Sequence, residues 1–154
     1  MEDATERSCA AEEGKCTSAS ILVVDDNQGI RASLSAVLAM MGFQVTQAED
    51  GDEALALVSR KNFGIVFTDL EMPGMDGFTL ALNIKRSSPE TPVIMITGCD
   101  RRVLREKMKN GCVDSVLFKP FNLEDIDKSV KGALIGRFVS HTTDLESGKA
   151  LRGG

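Results

Sequence analysis

Five polar residues each stand directly behind a short apolar run. Asp25 and Asp26 follow Ile21-Leu22-Val23-Val24, Asp69 follows Ile65-Val66-Phe67-Thr68, Thr97 follows Val93-Ile94-Met95-Ile96, and Lys119 follows Val116-Leu117-Phe118. Such runs read as strands buried on both faces, which places these side chains at strand ends. Three carboxylates gathered in one crevice repel one another, and a fold tolerates that only by binding a cation or taking up protons. Mg²⁺ suits the donor set, because it wants octahedral oxygen ligands and usually takes one or two carboxylates plus phosphate oxygens. Lys119 can then neutralise one phosphoryl oxygen and the Thr97 hydroxyl can hydrogen-bond another, which leaves Asp69 as the nucleophile of an in-line transfer. With a single histidine, His141, the chain offers no His-Cys zinc site and no His-containing triad in its core, so any metal must be oxygen-bound.

The segments between these residues have to position them. Ile30, Leu34, Val37, Leu38 and Met41 recur at helical spacing, and Gly42 stands where a left-handed C-cap residue is expected. Phe43 to Ala48 reads as a second strand, and Ala54, Leu57 and Val58 space a helix after Asp50-Gly51. Pro73, Gly74 and Gly77 break the chain into a loop ahead of a helix carrying Phe78, Ala81, Leu82 and Ile84. Val103, Leu104 and Met108 lie on a charged helix that Asn110-Gly111 stops, and Leu123, Ile126, Val130 and Leu134 space the last helix of the core. Strict βα alternation with short connections requires a parallel sheet covered on both faces, a doubly wound α/β fold of five strands. In the order 2-1-3-4-5, Asp25, Asp26, Asp69, Thr97 and Lys119 converge on the crevice outside the carboxyl ends of the strands, where ligands bind in such sheets.

Length and composition bound the rest. The chain has 154 residues, of which 42% are hydrophobic and 27% charged, enough for one domain with an ordinary core. Residues 1–19 lack periodicity and read as a flexible leader, residues 20–134 form the domain, and residues 135–154 read as a C-terminal extension or tail, with no room for an output domain. A formal charge of -5 disfavours nucleic acid or an anionic membrane as a direct partner. No apolar run approaches the roughly 18 residues of a membrane span, and the acidic start is unlike a signal peptide. Cys9, Cys16, Cys99 and Cys112 form no C-x-x-C pair and suit reduced thiols in a cytoplasmic protein.

The stretch Thr68-Asp69-Leu70-Glu71-Met72-Pro73-Gly74-Met75-Asp76-Gly77, with Val24-Asp25-Asp26-Asn27, Ile96-Thr97-Gly98 and Phe118-Lys119-Pro120-Phe121, resembles the receiver domain of two-component response regulators, in its stand-alone, chemotaxis-regulator-like form. The resemblance covers roughly Ser20 to Leu134 and implies a flavodoxin-like sheet. It implies that Asp69 is the phosphoacceptor, that Asp25, Asp26, Asp69 and the backbone carbonyl of Glu71 hold Mg²⁺, that Thr97 is the switch hydroxyl, and that Lys119 contacts the phosphate. It further implies a cis bond before Pro120, a sensor histidine kinase or phosphotransfer protein as phosphoryl donor, and a downstream protein that reads the face of the fourth helix, fifth strand and fifth helix. One position departs from the pattern: the family usually carries an aromatic three residues before the lysine, where this chain has Val116.

Each residue taken alone has a plainer reading. Asp25-Asp26 can be a solvated strand end with a capping role, Thr97 an ordinary strand residue and Lys119 a snorkelling surface lysine. Asp76 reads as the cap of the third helix, because Gly77-Phe78 follow at once. Cys9 and Cys16 read as inert thiols, and the Arg101, Arg102, Arg105, Lys107 and Lys109 run as either a small docking face or a solvated helix face. Three other functions share parts of the pattern. A receiver segment of a hybrid histidine kinase would pass its phosphoryl group on to a phosphotransfer histidine. A phosphatase of the haloacid-dehalogenase type would carry its nucleophile on the first strand, where this chain reads Asp25-Asp26-Asn27-Gln28, and a flavodoxin-like flavin carrier would have hydroxyl and backbone donors there.

Overall fold

The computed structural model describes residues 19–98, 100–107 and 111–142, with side chains to residue 135 apart from that of Lys107. The expected leader, the far part of the expected tail, and Cys9, Cys16, Cys99, Met108 and Lys109 lie outside the described residues. Five strands alternate with five helices: β1 (Ser20–Val24), α1 (Gln28–Met40), β2 (Gln44–Ala48), α2 (Gly51–Arg60), β3 (Ile65–Asp69), α3 (Gly77–Ser87), β4 (Val93–Thr97), α4 (Arg101–Lys107), β5 (Ser115–Phe118) and α5 (Leu123–Thr142). All four strand pairings are parallel and the sheet order is β2-β1-β3-β4-β5, the doubly wound arrangement expected from the alternation.

The two periodicities of the sequence account for the layers. Side chains alternate across a strand, so Ile21, Val23, Ile65, Phe67, Ile94 and Ile96 face α1 and α5, where they meet Leu34, Leu38, Ile126 and Val130. Leu22, Val24, Val66, Val93 and Met95 face the other way, against Ala54, Leu80, Ile84 and Leu104 of α2, α3 and α4. The central strands are buried on both faces, whereas β2 at the edge is exposed or half-buried except at Ala48 and is the most polar.

Local chemistry sets the helix starts. Asn27 caps α1, its side chain accepting from the Ile30 N–H, and Asp76 caps α3 through the Thr79 N–H at 2.9 Å. Asn122 and Asp125 satisfy each other's backbone N–H groups at 3.0 and 2.9 Å at the start of α5, a reciprocal box of the Ser/Thr-Glu kind. Gly42 ends α1 with φ of +99°, in the left-handed region where a Cβ would be strained.

The last helix runs on to Thr142, so residues 135–142 extend it. The structure corrects two expectations. Phe43 precedes β2, which begins at Gln44. Val103 is 49% exposed, so Leu104 alone of the pair anchors α4 in the core; adjacent side chains on a helix leave it about 100° apart, and only Leu104 faces the sheet.

At the end of the sheet remote from the strand-end carboxylates, the Asp114 carboxylate accepts from Lys85 Nζ at 2.7 Å and from the Val93 N–H at 2.8 Å, tying α3 to the start of β4. Asp114→Ala is expected to cost about 1 kcal/mol in urea unfolding, below the range of a buried hydrogen bond to a charged group. The Asp114 side chain is 44% exposed, so water takes over part of the bond.

Candidate functional site

The site forms because β1 and β3 are neighbours and end at the same level. Asp25 directly follows β1 and is fully buried; Asp69 is the last residue of β3 and is 5% exposed. Asp26, one residue on, lies in a bend after the strand and is exposed. One carboxylate oxygen from each of Asp25, Asp26 and Asp69 lies within 4.8 Å of the others. The plainer reading of the acidic pair as a helix cap fails, since Asn27 takes that role.

Lys119 reaches this cluster from β5, on the far side of β4. Its Nζ donates to Asp69 Oδ1 at 2.9 Å, its N–H donates to the Thr97 carbonyl at 2.8 Å, and the Lys119–Pro120 peptide is cis. Thr97 ends β4, pairs with Phe118 in register and is buried. All five strand-end residues expected from the sequence are thus at the carboxyl edge of the sheet. Glu71 lies two residues after Asp69 with an exposed side chain.

Burial raises the pKa of Asp25, with the Asn27 N–H, Lys119 and Arg31 only partly offsetting it and Asp26 adding to it. Burial likewise raises Asp69, opposed by the Lys119 hydrogen bond and reinforced by Asp25 and Asp26. Burial alone would lower Lys119, but the hydrogen bond and charge of Asp69, with Asp25 and Glu71 behind them, outweigh it and raise its pKa. The carboxylates are therefore the unsatisfied side of the cluster.

A hard cation fits this donor set. Asp25 Oδ2 is buried without a hydrogen-bond partner, while Oδ1 accepts from the Asn27 N–H at 2.8 Å. A buried, unpaired carboxylate oxygen beside two other carboxylates is costly unless a cation or proton meets it. The two carboxyl groups with raised pKa values contribute stability that is complete below the unfolded value, about 3.9, and is lost as pH rises through the folded value. The cation-free protein is accordingly expected to lose stability from this cluster as pH rises above that range. Asp25→Asn is expected to raise its unfolding free energy at pH 7 by on the order of 1 kcal/mol, because the amide removes a charge and gains donors. Urea unfolding in chelator checks this, and an unchanged or lower value for the variant would contradict it.

Two residues of the site were not singled out in the sequence for what they do here. Gly77, the first residue of α3, packs so closely on β3 that a Cβ there would stand 2.5 Å from the Asp69 carbonyl oxygen and 2.9 Å from Leu70 Cα. Arg31, on α1, donates from Nη1 to the Asp25 carbonyl at 2.7 Å and from Nε to Gln47 Oε1 at 3.2 Å. The glycine between Asp76 and Phe78 was a visible signal for close approach. An arginine on an amphipathic helix was not.

A doubly wound parallel sheet with an acidic cluster and a lysine at its carboxyl edge defines a class of phosphoryl-handling α/β domains. The family model for the response regulator receiver domain matches residues 21–131, and the chain belongs to that family of two-component signalling. The DNA-binding transcriptional regulator NtrC of Salmonella typhimurium is 39% identical over 122 residues, 79% of this chain and 25% of that protein. The transcriptional regulatory protein ResD of Bacillus subtilis is 35% identical over 114 residues, 74% of this chain and 47% of that protein. The chain thus spans between a quarter and a half of these curated relatives. Among solved structures, the Vibrio cholerae chemotaxis protein CheY4 superposes with a TM-score of 0.73 at 32% identity, over 76% of this chain and 99% of that one. Receiver domains of this family are in general regulatory phosphoacceptors that interact with histidine kinases or phosphotransfer proteins. It sets aside both the haloacid-dehalogenase and the flavin-carrier readings. Among the described residues no helix is long and apolar enough to cross a membrane.

Proposed function

We propose that the protein is a cytoplasmic, phosphorylation-dependent binding module in which Asp69 accepts a phosphoryl group from the phosphohistidine of a sensor kinase. The observation that carries this is the 2.9 Å contact between Lys119 Nζ and Asp69 Oδ1 at the buried edge of three clustered carboxylates. An Asp69 oxygen attacks phosphorus in line, the new O–P bond forms as the N–P bond breaks, and the imidazole leaves with the electron pair. Lys119 then follows the negative charge from the carboxylate to a phosphoryl oxygen, and the Thr97 hydroxyl donates to another. Asp25, Asp26, Asp69 and the Glu71 carbonyl would hold Mg²⁺, which when bound neutralises the carboxylates and the incoming phosphoryl oxygens.

The readout is protein binding rather than direct contact with nucleic acid. The face of α4, β5 and α5 carries a groove of about 410 Å³ lined by Arg101, Val116, Phe118, Asp125 and Lys128 among others. With Val116 in place of an aromatic, the response of this face is a repacking around Thr97 rather than rotation of a ring at that position. Intact-protein mass after incubation with Mg²⁺ and a small-molecule phosphodonor tests the proposal. One added phosphoryl group, absent when a chelator is present, is the expected result; an adduct indifferent to chelator would overturn the cation's role.

A further inference from the structure

The peptide group that joins Asp25 to Asp26 is gripped from outside the acidic cluster. The Asp25 N–H donates to the Ala48 carbonyl at 3.2 Å, and Oδ1 accepts from the Asn27 N–H at 2.8 Å. Those two contacts leave the Asp25 carbonyl to be fixed, and the Arg31 guanidinium fixes it at 2.7 Å while its Nε holds Gln47 on β2 at 3.2 Å. Since a peptide unit is planar, holding this oxygen sets ψ of Asp25 and φ of Asp26 together, and so the direction from which both carboxylates leave the chain.

We propose that Arg31 is a positioning residue for the cation site, acting through the Asp25–Asp26 peptide rather than on the cation. The inference rests on the cation site proposed above. Two effects of the guanidinium oppose each other. Its charge, which bears on Asp25, disfavours a second cation nearby, whereas its hydrogen bond preorganises the ligands. Charge effects that pass through solvent are screened at physiological salt, but loss of a hydrogen bond that orients a ligand typically weakens metal affinity 10–100-fold. Positioning therefore prevails, and the arginine helps a cation to bind despite its own charge.

The test is Mg²⁺ affinity by titration calorimetry on the full chain, for wild type, Arg31→Ala, Arg31→Lys and Gln47→Ala, beside thermal unfolding in chelator. Arg31→Ala is expected to weaken Mg²⁺ binding by about tenfold or more. Arg31→Lys keeps the charge but loses the two-pronged geometry and is expected to recover only part. Gln47→Ala, which frees one prong, is expected to lose less than Arg31→Ala. Unchanged or tighter binding by Arg31→Ala overturns the inference, as does a lowered unfolding temperature with unchanged affinity, the mark of a mere brace between α1 and β2. If the alanine variant does not fold, the lysine variant decides, since unchanged affinity there contradicts positioning. A wild type that binds no Mg²⁺ removes the cation site itself along with the inference, whereas a binding wild type with unaffected variants removes the inference alone.

Discussion

Asp69→Asn is expected to abolish the phosphoryl adduct altogether while the variant stays folded. The amide oxygen has no negative charge with which to attack phosphorus, and no other carboxylate has the same place: Asp25 is fully buried with Oδ1 engaged by Asn27, and Asp26 is exposed to water that competes for its lone pairs. The variant removes one of three clustered carboxylates, whose burial and mutual repulsion outweigh the ion pair with Lys119, so the cation-free variant is expected to be at least as stable as the wild type. Mass spectrometry of the intact protein, with circular dichroism as the folding control, reads both quantities. An adduct of undiminished yield in the variant would move the acceptor to Asp26 and overturn the assignment.

Gly77→Ala is expected to destabilise the fold, because the added methyl group meets backbone that cannot move. The added Cβ would stand 2.5 Å from the Asp69 carbonyl oxygen, 2.7 Å from Met95 Sδ and 2.9 Å from Leu70 Cα. The thioether can swing aside, but the two backbone atoms cannot. Leu70 is fixed by its N–H to the Ile96 carbonyl at 3.0 Å and by its own carbonyl to the Gly77 N–H at 2.9 Å, and Asp69 is a strand residue paired with Ile96. Overpacking of this kind costs about 1–3 kcal/mol, occasionally more, against at most about 1 kcal/mol gained from alanine's helix propensity. Gly132→Ala is the matched control. Nothing lies within 4 Å of a Cβ there, the position is exposed on α5, and propensity acts alone to stabilise by up to about 1 kcal/mol. Urea unfolding of the two variants should give opposite signs. Gly77→Ala should also slow phosphorylation, because relief of the contact displaces the backbone that carries Asp69; equal stability of the two variants would contradict the close contact.

The sequence by itself determined which residues end the strands. A run such as Val23-Val24 or Phe67-Thr68 has one period and one length, and the polar residue that stops it must lie at the edge of the sheet whatever surrounds it. That is why Asp25, Asp26, Asp69, Thr97 and Lys119 were legible, and why Asp76 could be read as a cap from its neighbours alone. The alternation of strand and helix determined the doubly wound class for the same reason, since each crossover has one favoured hand.

Only the tertiary structure decided what depends on distance across elements. It separated Asp25, buried with an unpaired oxygen, from the exposed Asp26, although the two are adjacent and chemically identical. It brought Lys119 to Asp69 across 50 positions of chain, stacked Arg101 at 4.2 Å over Phe118 beside the position where an aromatic is missing, and turned Val103 outward. It gave Gly77 a packing role and Arg31 a place on the Asp25 carbonyl. Periodicity states which face of an element is apolar, but depth and contact are properties of how the elements stack, and a helix that packs half a residue differently leaves the pattern intact while moving every one of these atoms.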